Sequence, residues 1–178
     1  MNILGIHGGV TLSQHDAAAA IISDGNLITV CEEERFARFK SARGMIPVRS
    51  IAAALKESNM TIKDIDILVH PGETYEDMPE RIRRYMKHYF GHCPKVELIN
   101  HQTAHMASAY FCSGFNESMV ISYDGYGDRL SAAIGTGKNG VLNILETRPW
   151  NNSLGDYYET MTSFLGFERG EGEYKVMG

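Results

Sequence analysis

The pair Asp24-Gly25 constrains this chain more than any other local feature. It stands between two short apolar runs, residues 17–23 and 26–33, and an Asp-Gly pair tolerates the positive φ of a tight hairpin turn. A third run, residues 2–7, ends at Gly8-Gly9, a second turn signal. Three strands joined by two glycine-marked turns predict an antiparallel meander at the N-terminus. The first of those turns, residues 8–14, is long and polar.

Beyond the meander the pattern alternates. Pro47 opens a helical pattern with Ile51, Ala54 and Leu55 on one face, and Pro suits the first turn because its missing N–H would be unpaired there. Residues 65–69 read as a buried strand, 76–89 as a polar amphipathic helix and 96–99 as a strand leading into Asn100-His101. Residues 104–111 read as a helix ended by Ser113-Gly114. Residues 119–123 read as a strand running into Asp124-Gly125-Tyr126-Gly127-Asp128. Residues 130–135 and 141–146 read as a second hairpin. Ser153 is placed to cap a helix through Leu165, which Gly166 stops. The order predicts an α/β fold with a mixed sheet, distinct from a doubly wound one. The methionines and most aromatics, Phe164 and Phe167 among them, are expected in the core.

The length of 178 residues suits one sizeable core. A net charge of −5 argues against non-specific binding to DNA, which needs clustered Lys and Arg. The one basic stretch, Arg81, Arg83, Arg84, Lys87 and His88, has the spacing of a solvated helix face. The three cysteines form no CxxC, so neither a zinc knuckle nor a disulfide framework is expected. The N-terminus has no basic leader, and no apolar run approaches the ~20 residues of a membrane helix. These features lead to the expectation of a cytoplasmic protein with no membrane partner. The chain stops at residues 173–178 without a tail or cap, and we expect it to be cut from a longer protein.

Chemistry concentrates in four places. His101 and His105 stand four apart, so one helix face presents both imidazoles to a single cation. Such pairs also arise by chance on helix surfaces. Asp124 closes the next strand, and two imidazoles with a carboxylate suit iron, manganese or zinc. Gly125 and Gly127 let backbone approach a phosphate, although the same residues also make a plain hairpin turn. In the first turn, Gly8 and Gly9 can offer N–H groups to phosphates, and His15 can donate to an anionic oxygen. The run 32–40, which ends at Lys40, mixes charges and aromatics. It can hold an anionic substrate or simply be a solvated face.

Taken together, residues 15–40, 100–115 (NHQTAHMASAYFCSGF), 122–128 (SYDGYGD), 153–158 and 172–178 resemble the NodU/CmcH-type O-carbamoyltransferases, in the family's order and over nearly the whole chain. The resemblance implies the N-terminal part of an actin- and hexokinase-like fold related to the tRNA threonylcarbamoyl-transfer proteins. It implies that carbamoyl phosphate and ATP give a carbamoyl adenylate and pyrophosphate. The carbamoyl group then passes to a hydroxyl of a sugar or natural product. It maps a metal ion, iron foremost, onto His101, His105 and Asp124, and anion-binding catalytic roles onto His15 and Lys40. Gly8, Gly9, Asp124, Gly125 and Gly127 fall to the nucleotide. A further aspartate ligand, the second lobe and a synthase-like C-terminal domain are expected beyond Gly178, so the chain alone is expected to lack complete catalysis. Expected partners are the small-molecule acceptor, that remaining region and a second copy in a homo-oligomer. Where the family usually carries a second histidine after the first, this chain has Gln102. It has Ala18 where Ser is common and Ser41 where His is common. The alternatives are a tRNA threonylcarbamoyl-transfer-like protein and a non-catalytic nucleotide- or metal-binding module.

Overall fold

A computed structural model describes residues 1–9, 14–170 and 172–178. Most of the polar first turn, residues 10–13, therefore lies outside the described residues, as does Glu171. The chain divides into two compact units: Met1–Pro71 with Tyr75–Ile99, and Gly72–Thr74 with Asn100–Gly178.

The first unit is built on a five-stranded mixed sheet. Its strands are β1 (Asn2–His7), β2 (Ala18–Ser23), β3 (Asn26–Glu32), β4 (Ile67–Pro71) and β5 (Lys95–Ile99), in the order β3-β2-β1-β4-β5. The predicted meander is present: β1 pairs with β2 and β2 with β3, all antiparallel, while β4 and β5 run parallel to β1. Asp24 and Gly25 both take positive φ, as a two-residue hairpin turn requires. Strand alternation sends Leu4, Ile6, Ala19 and Ile21 to the core. There they meet Ile51, Ala54 and Leu55 of α2 (Val48–Glu57) and Ile82, Tyr85 and Met86 of α3 (Met78–Phe90). The basic residues of α3 are exposed, and Arg81, Arg83 and Arg84 pair along the helix with Asp77 and Glu80.

Two sequence expectations change here. Strand β4 starts at Ile67 rather than Ile65, because Thr61 and Asp64 form a reciprocal capping box that holds residues 62–64 in a 3₁₀ turn. The charged run after β3 is neither strand nor wholly solvated. It forms a short helix, α1 (Glu33–Ala37), and Glu33 is buried. The Glu33 carboxylate accepts the backbone N–H and the hydroxyl of Ser50, at 2.8 and 2.9 Å, and so satisfies a donor in the first turn of α2.

In the second unit a helix and an antiparallel meander pack together: α4 (His101–Phe111), then β6 (Glu117–Gly127), β7 (Leu130–Lys138) and β8 (Val141–Pro149). The helices α5 (Leu154–Phe164) and α6 (Glu173–Met177) follow. Helix α4 buries Gln102, Met106 and Tyr110, one residue per turn. Small residues on β7 make room for that face. A Cβ on Gly135 would lie 2.8 Å from the Met106 methyl, and one on Gly137 would overlap the Tyr110 ring. Met106, Tyr110, Val120 and Ala133, with Leu142, form this unit's core. Phe164 and Phe167, expected in the core, are instead 79% and 41% exposed. Of the α5 side chains only Thr162 is buried, while Tyr157 and Phe164 are exposed. No helix among the described residues is long and apolar enough to cross a membrane.

Candidate metal centre

Helix α4 begins at His101 with Asn100 as its N-cap, so the two histidines share one helix as their spacing predicts. Its first turn is secured by neighbours. The Asn100 side chain accepts from the N–H groups of Gln102 and Thr103 at 3.0 and 3.4 Å, and its carbonyl accepts from Ala104 at 3.0 Å. The N–H of His101 donates to the Asp128 carboxylate at 2.7 Å. The N–H groups of the first three helical residues, which a helix start leaves without intrahelical partners, are thus all engaged.

The next strand does not stop at Asp124, as the sequence suggests. β6 runs on to Gly127 through a bulge in which Asp124, Gly125 and Tyr126 stand opposite the single residue Ser131. The tight turn to β7 follows at Asp128 and Arg129, both at positive φ. The bulge is what turns Asp124 toward α4. Ser153, the N-cap of α5, anchors it: its hydroxyl lies 2.9 Å from the Asp124 carbonyl and 2.7 Å from that of Gly125, and accepts from the N–H of Asp156 at 3.0 Å. Gly155 packs against the same backbone, where a Cβ would come within 2.6 Å of the Gly125 nitrogen.

The result is a close trio. One donor atom each from His101, His105 and Asp124 lies within 4.8 Å of the others. The His101 Nε2 is 2.7 Å from Asp124 Oδ2 and 3.0 Å from His105 Nε2, and His105 Nε2 is 3.6 Å from Asp124 Oδ2. The two rings meet edge-on at 4.6 Å. The N–H of Gly125 donates to the other Asp124 oxygen, Oδ1, at 2.7 Å. Burial pushes the Asp124 carboxyl up, but the hydrogen bond from His101 and the nearby His105 imidazole outweigh it and hold the group well below the usual carboxylate range. The neighbouring Asp124 carboxylate in turn raises His105 above the ordinary imidazole value, against the effect of its partial burial. In chemical terms this is an anionic oxygen flanked by two imidazole nitrogens, a donor set that fits a first-row transition ion or zinc and leaves positions for exchangeable ligands.

The remaining expected residues fall elsewhere. Gly127 lies against the trio: a Cβ there would overlap the His101 ring. Gly125 faces more open space, with a Glu159 oxygen 4.0 Å from its Cβ position. Gly8, Gly9, His15 and Lys40 belong to the first unit. Gly8 and Gly9 take positive φ and pack tightly on Ala17 and on Met45-Ile46. His15 is exposed and bonded to Asp16 at 2.5 Å; Lys40 is exposed too. Their backbones run side by side, tied by Asp16 N–H to Ser41 O at 2.5 Å and Gly44 N–H to Gln14 O at 2.7 Å.

Sequence reasoning passed over several residues. Asp128 and Ser153 are the supports of the trio, and only their places in DGYGD and SLG hinted at it. His7 and His70 stack at 5.9 Å near the C-terminal ends of the parallel strands β1 and β4, a location where α/β folds gather ligands. Gln102, which stands where the family usually has histidine, is fully buried. It accepts from Ser122 Oγ at 2.7 Å and so ties α4 to β6.

The fold is that of the actin-like, hexokinase-like proteins. Component A of (R)-2-hydroxyglutaryl-CoA dehydratase from Acidaminococcus fermentans superposes with a TM-score of 0.52 at 13% identity, over 94% of this chain and 55% of that one. YeaZ from Pseudomonas aeruginosa superposes with a TM-score of 0.51 at 11% identity, over 83% and 67%. At those identities the likeness concerns the fold alone. In sequence, the family described as carbamoyltransferase N-terminus matches residues 3–92 and 72–178, and the chain belongs to that transferase family. The nodulation protein NolNO of Sinorhizobium fredii is 31% identical over 92% of this chain and 27% of its own length. An uncharacterised protein of Methanocaldococcus jannaschii is 31% identical over 98% and 32%, and one from Synechocystis is 29% identical over 96% and 33%. The chain thus spans about a third of the length of the relatives it matches.

Proposed function

We propose that this chain is the metal-bearing part of an ATP-dependent O-carbamoyltransferase. The reaction would form a carbamoyl adenylate from carbamoyl phosphate and ATP, release pyrophosphate, and pass the carbamoyl group to a hydroxyl of a sugar or natural product. The observation that carries the reading is the convergence of His101, His105 and Asp124 in a chain of the carbamoyltransferase family. These three side chains hold the ion, iron foremost, with manganese or zinc as alternatives of matching chemistry. When bound, the ion supplies Lewis-acid polarisation of a phosphoryl or carbonyl oxygen. Asp124 acts as a ligand and not as a base, since its low proton affinity makes it a poor proton acceptor. His15 and Lys40, exposed on adjoining backbone segments, are assigned to the anionic donor.

The test uses the full-length protein. Pyrophosphate release should require both ATP and carbamoyl phosphate, and labelled carbamoyl should appear on a hydroxyl acceptor. His101→Ala should abolish turnover and bound metal together. Turnover by His101→Ala at the wild-type rate, or a wild-type protein that releases no pyrophosphate with both substrates present, overturns the reading.

A further inference from the structure

We propose that Asp128 is a positioning residue for the metal centre, fixing His101 in its ligating place before any ion arrives. The inference rests on the metal reading above. Asp128 is 4% exposed, and its carboxylate takes four donors. Oδ2 accepts the N–H of His101 at 2.7 Å and that of Glu73 at 3.1 Å. Oδ1 accepts the N–H and the hydroxyl of Thr74, both at 3.0 Å. A buried carboxylate is tolerated when its lone pairs are filled in this way. A negative charge at the first N–H of an eleven-residue helix is favourable as well.

The arrangement clamps one histidine from two sides. Asp128 holds the main chain of His101, while its neighbour Gly127 lies against the ring. Both belong to the β6–β7 turn, and Asp124, the trio's carboxylate, lies in the bulge just before it. One short stretch of strand therefore supplies a ligand and fixes the position of another. His105, one helical turn on, is carried by the same α4. Glu73 and Thr74 supply the other three donors to the Asp128 carboxylate and so fix the place from which it holds His101.

The experiment compares wild type, Asp128→Asn and Thr74→Val by two readouts. The first is cobalt(II) titration, followed by affinity and by ligand-field absorption. The second, in cation-free protein, is the His101–His105 ring cross-peak and the hydrogen-exchange protection of the His101 amide. The Asn variant places an NH₂ group where the N–H groups of its neighbours must be accepted. We expect it to weaken cobalt binding by roughly ten- to a hundredfold, as loss of a ligand's outer support commonly does. Shifted absorption bands and loss of the ring cross-peak should accompany that loss. Thr74→Val removes a single hydroxyl bond and should shift both readouts the same way, by less; it decides the matter if the Asn variant fails to fold. Wild-type affinity, spectrum and cross-peak in the folded variants overturn the proposal. If wild type itself binds no cobalt, the metal reading falls, and the cation-free readout still decides whether Asp128 positions His101.

Discussion

The imidazole of His101 rests on Gly127 at the place where any other residue would put its Cβ. The glycine is therefore required by the ring and not by its own backbone, which does not take positive φ. Gly127→Ala should push the ring out of the trio. We expect metal affinity to drop roughly tenfold or more, the scale of a displaced ligand support, while the chain stays folded. Competition with a chromophoric chelator checks this, and an unchanged affinity would count against it.

The trio also sets a pH dependence. His105 keeps its proton to higher pH than a free imidazole. In the cation-free protein its stabilising contribution is complete below about pH 6.5 and is lost as pH rises through the raised value. Asp124 works in the other direction: its contribution is present above about pH 4 and is lost as pH falls. A cation must displace the His105 proton, so metal affinity should climb between about pH 6 and pH 8. Calorimetric titration in buffers of different ionisation enthalpy should show proton release on binding. A flat profile with no release would contradict the assignment.

The core beneath α4 is small, and Met106 is wholly buried in it with Val120 and against Gly135 of β7. Met106→Ala should cost about 2–5 kcal/mol, the usual range for emptying such a site. Urea unfolding followed by circular dichroism measures it, and a loss below about 1 kcal/mol would show that the space collapses freely.

Ser153 both caps α5 and holds the carbonyls of Asp124 and Gly125. Ser153→Ala should lower stability by about 1 kcal/mol through the lost cap. It should also weaken metal binding, which a cap alone would not do. Thermal melts and metal titration on the same variant separate the two effects.

What the sequence disclosed follows periodicity and turn chemistry. Asp24-Gly25, the apolar face of Ile51, Ala54 and Leu55, and the cap at Ser153 were all readable because each rests on neighbours in sequence. The HxxxH pair was readable for the same reason. The bulge that turns Asp124 was not, because it depends on pairing with β7 and on a hydroxyl 29 residues later. Asp128 stayed hidden behind the look of a turn residue. Its partners lie at 73, 74 and 101, and nothing local marks them. Phe164 was misjudged because apolar character predicts burial only where another surface is present to supply it.

The bulge in β6 has a consequence for how such a centre can be acquired or lost. Three residues oppose one, so the insertion is of two, an even number. Because side chains alternate with a period of two, an even insertion leaves every residue on either side facing the way it did. Beyond the bulge Gly127 pairs with Leu130 in the same phase in which Tyr123 pairs with Ala132 before it, as though two of the intervening residues were absent. The ligand-bearing segment is thus separable from the sheet that carries it. Removing two of the three bulged residues, Asp124 among them, would take the carboxylate from the trio and leave the strand pairing on either side in register.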